Sequence, residues 1–227
     1  GKHIHALWLQ AMRHAAAIAT PDDPQEIIIH NAYFVLPSNL MALMGQMVDG
    51  TIDAGNVKIT VLTNSIETTD LNVVNLAARH QMKAFADYYA ANRDPERGAY
   101  FTYHEYLPSA VGSRGSNLSL HYKVMVFGPD VFIGSANADV RSYMQDSNNG
   151  LLVRNAPDFV SSYKEWIHQM LADATRTEDL TSYLIESRRE DLLAQDIVTQ
   201  RQLVQRYGIG GHVDPAELEP RFVGTLE

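Results

Sequence analysis

The sequence predicts an α/β sandwich, a mixed sheet flanked by helices, followed by a C-terminal helical extension. Three observations lead there. Helix-period and strand-like segments alternate from the start to about residue 173. Two β-branched apolar runs meet at Gly128-Pro129-Asp130, which suits an antiparallel hairpin. Beyond Thr175 the text turns charged and helical. Residues 1–175 therefore read as one domain and 176–227 as a helical arm, with no internal repeat.

Taken in order, Lys2 to Ile18 sets Ile4, Leu7, Trp8, Met12, Ala15 and Ile18 at helical spacing. A Pro/Asp loop (Thr20 to Pro24) leads into a strand over Glu26 to Val35, stopped by Pro37. Ser38 is the expected N-cap of a helix through Leu40, Leu43, Met44 and Met47. Val57 to Thr63 is a β-branched strand. Thr69 and Asp70 are candidate caps for a long helix to about Asn92, and Arg93 to Gly98 is a surface loop. A strand follows over Tyr100 to Tyr106, then a Gly/Ser loop over Pro108 to Asn117. Leu118 to Phe127, Val131 to Ser135 and Leu151 to Val153 are strands. Asp158 to Ala172 is an amphipathic helix with Phe159, Tyr163, Trp166, Ile167 and Met170, and Glu178 to Tyr207 is charged helical text.

Composition narrows the function. The 227 residues are 45% hydrophobic, enough for one sizeable core. No run approaches the roughly 18 apolar residues of a membrane span. No basic segment followed by an apolar block opens the chain, so no signal peptide is read, and a chain opening on Gly1 is compatible with a mature fragment. The absence of cysteine excludes disulfides, thiolate nucleophiles and cysteine-ligated zinc. A net charge of −9 disfavours broad capture of nucleic acid but leaves room for a small cationic phosphate pocket.

His121-x-Lys123 and Gly134-Ser135-x-Asn137 carry the chemistry. Strand alternation puts His121 and Lys123 on one face. A three-residue loop, Gly128 to Asp130, would set Lys123 opposite Ser135 and His121 opposite Asn137. An imidazole can attack phosphorus or shuttle a proton. A lysine and an amide can hold the charge that builds on phosphate oxygens, and a serine hydroxyl adds a hydrogen bond. Alone, His-x-Lys is commonplace and Gly-Ser-x-Asn is a turn. In order on adjacent strands they form a signal. The set lacks a second acid or base, so it is half of a double-displacement site.

HYKVMVFGPDVFIGSAN (His121 to Asn137) resembles the HKD motif of the phospholipase D superfamily. AYFVLPSNLMALM (Ala32 to Met44), VKITVLTNSIETTD (Val57 to Asp70), YHEYLP (Tyr103 to Pro108), SNLSLHYK (Ser116 to Lys123), NADVRS (Asn137 to Ser142) and NNGLLV (Asn148 to Val153) are similar to the second repeat of bacterial cardiolipin synthase-like members. The likeness spans roughly residues 4 to 173. Two departures stand out. The motif is one residue short between His121 and Gly134, with Gly128 where the family has Asp, so Asp130 either substitutes or shapes the turn. Asn148 stands where the family has a Glu that orients the catalytic histidine.

The resemblance implies a phosphodiesterase or phosphatidyltransferase working through a phosphohistidine without metal or cofactor. His121, Lys123 and Asn137 would be catalytic, with Lys123, Ser135 and Asn137 on the substrate phosphate and Asp130 and Asn148 in support. The second motif's place gives His121 the role of general acid and base. The implied partners are a phospholipid, a membrane surface, and a second HKD repeat from an N-terminal half or a symmetry-related copy. Nucleic acid is disfavoured. A bacterial membrane-associated or periplasmic setting goes with the resemblance, although no sequence signal fixes the compartment. The competing readings are a single-motif homodimeric phosphodiesterase or nuclease and a catalytically impaired scaffold.

The other histidines (His3, His5, His14, His30, His80, His104, His168, His212) lack ligand spacing, and His3 and His5 read as exposed. Methionines read as core fillers or a lipid-facing surface. Tyr103 and Tyr106 read as core or cleft, Arg114 as a head-group contact or a solvated loop residue. Arg141 reads as site support or as a partner of Asp139 or Asp146.

Overall fold

The computed structural model describes residues 2–69, 72–108 and 120–207. A seven-stranded mixed sheet runs through it. Three parallel strands lie at its centre: β1 (Gln25–Asn31), β3 (Val57–Asn64) and β4 (Tyr100–Tyr106). Antiparallel strands extend both sides, β5 (Lys123–Phe127), β6 (Asp130–Gly134) and β8 (Gly150–Val153) beyond β1, and β9 (Thr177–Asp179) beyond β4. β1 is buried almost throughout, which explains its continuous Ile27-Ile28-Ile29 run.

α1 (Lys2–Ile18), α2 (Ser38–Val48) and α3 (Asn72–Asn92) bury Trp8, Met12, Leu40, Met44, Met47, Met82 and Phe85 with Ile27, Ile29, Ile59 and Val61 in one core. α5 (Pro157–Ala172) covers the opposite face, where Val160 and Ile167 pack on Ile28, Leu62, Tyr106, Val126 and Val131. The methionines at 12, 44, 47, 82 and 125 are core residues, as are Tyr103 and Tyr106.

Several boundaries differ from expectation for local reasons. The strand expected over Glu26 to Val35 ends at Asn31. The chain then turns out, and a separate strand β2 (Phe34–Val35) pairs in parallel with β7 (Ala138–Asp139). Ser38 is already helical; Pro37 occupies the N-cap position without a side-chain hydrogen bond, and its fixed φ of −59° starts the turn. Asp70 and residues 109–119, including Arg114, lie outside the described residues, as does the tail beyond 207.

The C-terminal segment begins with a strand and continues as two helices, α6 (Thr181–Glu186) and α7 (Arg189–Tyr207). Leu180, Leu184 and Leu192 join the main core. A buried charge cluster ties α7 down. Arg79 on α3 donates through Nε and Nη2 to Glu105 (3.0 and 2.6 Å) and through Nη1 to Asp196 (2.8 Å). Glu105 also accepts from the Tyr103 hydroxyl (2.9 Å). Burial pushes the Asp196 carboxyl up to about 6 against the pull of Arg79.

Candidate active site

β1 and β3 end side by side, and an asparagine closes each. Asn64, 2% exposed, donates its amide to the carbonyls of Leu120 (2.8 Å) and Ala32 (3.1 Å). The Ala32 N–H donates to the Tyr122 carbonyl (2.8 Å), so Leu120-His121-Tyr122 is held along the end of β1 before β5 starts. The ladder begins at Lys123, opposite Asn31, because β1 offers no further partner. Among the described residues the strand expected over Leu118 to Phe127 therefore starts at Lys123.

Alternation sends Tyr122 to the opposite face. There it stacks on His30 with ring centroids 4.4 Å apart and lies 5.7 Å from Trp166. His30 sits between the hydroxyls of Tyr163 (2.6 Å) and Tyr106 (2.8 Å), and burial pushes its imidazole down to about 3. A neutral ring with one donor and one acceptor nitrogen satisfies both tyrosines. The cluster is a rigid backing for the motif.

On the site face, Lys123 Nζ lies 2.9 Å from His121 Nε2. An ammonium has donors only, so Nε2 is the acceptor and the imidazole proton sits on Nδ1. Such a ring is neutral, and Nε2 can serve as base or nucleophile once the Lys123 ammonium turns to a phosphate oxygen and neutralises it. Tyr33 braces both groups. Its ring meets His121 edge-on at 5.8 Å, and Lys123 Nζ stands 5.9 Å from its centroid, a cation–π distance. The sequence reading missed Tyr33, whose only signal is its place just past a strand end.

The second half of the motif arrives through the β2–β7 pair. Phe34 faces Ala138 there, so continuing the register one residue back sets Asn137 level with Tyr33. Asn31 docks this segment: its oxygen accepts from Ala138 N–H (3.1 Å) and Tyr33 N–H (3.4 Å), and its amide donates to the Ala136 carbonyl (3.3 Å). Asn137 N–H donates to Ser142 Oγ (3.0 Å). Ser135, exposed, accepts from Asn149 N–H (3.0 Å) and donates to Asn148 Oδ1 (3.2 Å).

The expected hairpin register is off by one. Phe127 pairs with Asp130 and Val124 with Ile133, which leaves a two-residue turn of Gly128 and Pro129 and sets Lys123 level with Gly134. Gly128 has φ +61°, and proline fixes a negative φ after it, the pattern of a type II′ turn. The glycine and the missing residue thus have one cause, a tighter turn. Asp130 serves that end of the sheet: its buried carboxylate accepts from Asn155 N–H (2.9 Å) and Arg154 Nε (3.3 Å). Four residue steps along β6, about 13 Å, carry it away from Gly134, so its contacts lie at the turn end of the strand. Asn148 holds Ser135 and, through its amide, the Ser142 carbonyl (3.3 Å).

Behind Gly-Ser-x-Asn lies His5, which corrects its reading as an exposed residue. It is 1% exposed, packed on Trp8 (4.3 Å between centroids) and Tyr143 (5.2 Å). Burial pushes its imidazole down to about 4, against the Asn137 backbone beside it. The short helix α4 (Val140–Met144) follows, capped by Asp139, whose oxygen accepts from Ser142 N–H (2.6 Å); burial raises that carboxyl. Arg141 pairs with Asp146 at 3.2 Å. Among the described residues no three His, Asp or Glu side chains group as a metal site.

No protein-family model and no curated protein matches the sequence. Solved structures do. A phosphatidylserine synthase from Haemophilus influenzae Rd KW20 aligns over 88% of this chain with 12% identity and a TM-score of 0.54. The match spans 44% of the synthase, so the chain corresponds to less than half of it. Nuc from Salmonella typhimurium, a phospholipase D family member, aligns over 77% of this chain and 89% of its own, with 16% identity and a TM-score of 0.50. The mixed sheet flanked by helices is the fold these proteins share.

Proposed function

We propose that this chain, with its phospholipase D-like fold, supplies one histidine–lysine half of an active site that cleaves or transfers phosphodiesters. The observation that carries the reading is the Lys123–His121 contact at 2.9 Å, beside a Gly-Ser-x-Asn segment docked onto the same strand ends. Lys123, Ser135 and Asn137 bind the non-bridging phosphate oxygens. The histidine of a second motif attacks phosphorus, forming a P–N bond as the P–O bond to the leaving alcohol breaks. His121 gives that alcohol its proton, then takes one from the water or alcohol that attacks the phosphohistidine. The unprotonated Nε2 beside Lys123 is the form needed for that second step.

The second motif comes from an N-terminal half or from a second copy of the chain. The favoured substrate is a phospholipid and the favoured reaction phosphatidyl transfer of the cardiolipin synthase type, on the resemblance around the motif. Net charge −9 supports a lipid over a nucleic acid. Coverage of most of Nuc's length favours the second reading, a single-motif dimeric phosphodiesterase.

The test is head-group release from phosphatidylglycerol and phosphatidylcholine vesicles with 1-butanol as acceptor, run in chelator, by the chain alone and with an upstream HKD half. Phosphatidylbutanol from the wild type and none from His121→Ala is the expected result. Cleavage of DNA without lipid turnover would replace the substrate class, and no turnover of either in either assembly would leave only a scaffold.

A further inference from the structure

We propose that Asn31 and Asn64 are positioning residues that set the two halves of the motif, and that Asn64, through its two amide donors, fixes the His121 backbone for transfer. The proposal rests on the phosphodiesterase reading above.

Neither asparagine belongs to the motif, yet each binds the chain directly beside one of its members. Asn64 donates to the carbonyl of Leu120, the residue before His121. Asn31 grips the carbonyl of Ala136 and the N–H of Ala138, the residues on either side of Asn137. Both sit at the C-terminal ends of the adjacent parallel strands β1 and β3, and both are at most 2% exposed. Asn64 therefore ties the segment that precedes β5, and Asn31 the segment that enters β7, to the central strands of the sheet. Only an asparagine-sized amide offers paired donors and an acceptor at that reach.

The two clamps use opposite ends of the amide. Asn64 works through Nδ2, with two carbonyls facing it, while its oxygen accepts from Thr68 Oγ1 at 3.3 Å. Asn31 works mainly through Oδ1, with two N–H groups facing it. Replacing either by aspartate keeps shape and adds one buried charge. At 64 the carboxylate faces two carbonyl oxygens and loses both bonds; at 31 it keeps both N–H donors and loses only the 3.3 Å bond to Ala136. A shift of about 1 Å in a reacting group costs on the order of 100-fold in rate.

The experiment compares Asn64→Asp with Asn31→Asp in the assembly that turns over, reading kcat and KM, and records long-range 1H–15N spectra of the His121 ring, assigned by its loss in His121→Ala. Expected are a roughly 100-fold fall in kcat for Asn64→Asp with KM within threefold, a moved His121 signal, and less than a tenfold fall for Asn31→Asp. Equal losses in the two variants, or an unmoved His121 signal in Asn64→Asp, overturn the proposal. If Asn64→Asp does not fold, neutral Asn64→Ser must show the same kcat loss and signal shift, and its failure to do so also overturns it. A wild type without turnover on lipid or DNA, but with a His121 signal that moves in Asn64→Asp, sinks the function and leaves the clamp standing.

Discussion

Replacing Arg79 by Met tests how the C-terminal segment is held. Arg79 makes its closest contacts with Glu105 (2.6 Å) and Asp196 (2.8 Å), carboxylates 1% and 0% exposed. Methionine fills most of the volume and leaves two acids buried without their cation. Breaking a buried pair from one side costs about 3–5 kcal/mol. Asp196, already pushed up to about 6, escapes part of that by binding a proton, so Glu105 dominates. Unfolding entropy of ~2.1 cal/mol/K per residue over 227 residues gives about 0.5 kcal/mol/K, so a loss of about 4 kcal/mol lowers Tm by about 8 °C. Guanidinium unfolding followed by circular dichroism reads the loss directly. Arg79→Met combined with Glu105→Gln and Asp196→Asn removes the orphaned charges and should regain most of it. A single variant within about 1 kcal/mol of wild type, or a triple no better than the single, would refute the reasoning.

Low pH should destabilise the fold through its buried histidines. His30 and His5, held near 3 and 4, and His80, lowered mainly by burial, bind protons more readily unfolded than folded, so stability falls as pH drops below about 6.5. Asp196 and Asp139, both raised by burial, have the opposite sign and gain stability as pH falls through the range where they take up protons. The histidines, joined by His104, also lowered by burial, outweigh the two. Urea midpoints at pH 7.5, 6 and 5 check this; a flat series would contradict it. Gly128→Ala should cost about 1–2 kcal/mol, since φ is +61° and the new Cβ lies 2.7 Å from Gln25 Oε1, and a neutral thermal melt would contradict that turn. Lys123→Met should lower kcat about 100- to 1000-fold with the melting temperature little changed, and unaltered kinetics would remove Lys123 from the phosphate site.

Much of the fold was legible because periodicity records burial. α1 spans Lys2–Ile18 as its apolar spacing requires, and β4 and α5 fall where the pattern put them. What failed were features decided by partners far along the chain. The break after Asn31 depends on Ala138 arriving beside Phe34, and His5 is buried because Tyr143 closes over it. β9 was hidden since Glu178 and Asp179 disfavour strands and a single threonine gives no pattern, so the segment pairs by lying along β4. The hairpin register turned on a single residue, the difference between a two- and a three-residue loop. His121 and Lys123 were legible as a pair because two-residue spacing in a strand context survives such slips. Asn31, Asn64 and Tyr33 act from strand ends, where one sequence carries almost no signal.

β9 also bears on where the chain can be cut. Its three residues pair with His104, Glu105 and Tyr106, and its flanks cover the Leu107 N–H and the Tyr103 carbonyl. A chain stopped at 175, where the sequence alone suggested a boundary, would bare that edge of β4, strip Arg79 of its second carboxylate, Asp196, and lose Leu180, Leu184 and Leu192 from the core. Naked edges of this kind recruit strands from other molecules. Shortened versions made for crystallisation or display should therefore keep everything through α7, or they will clump before any catalysis can be measured.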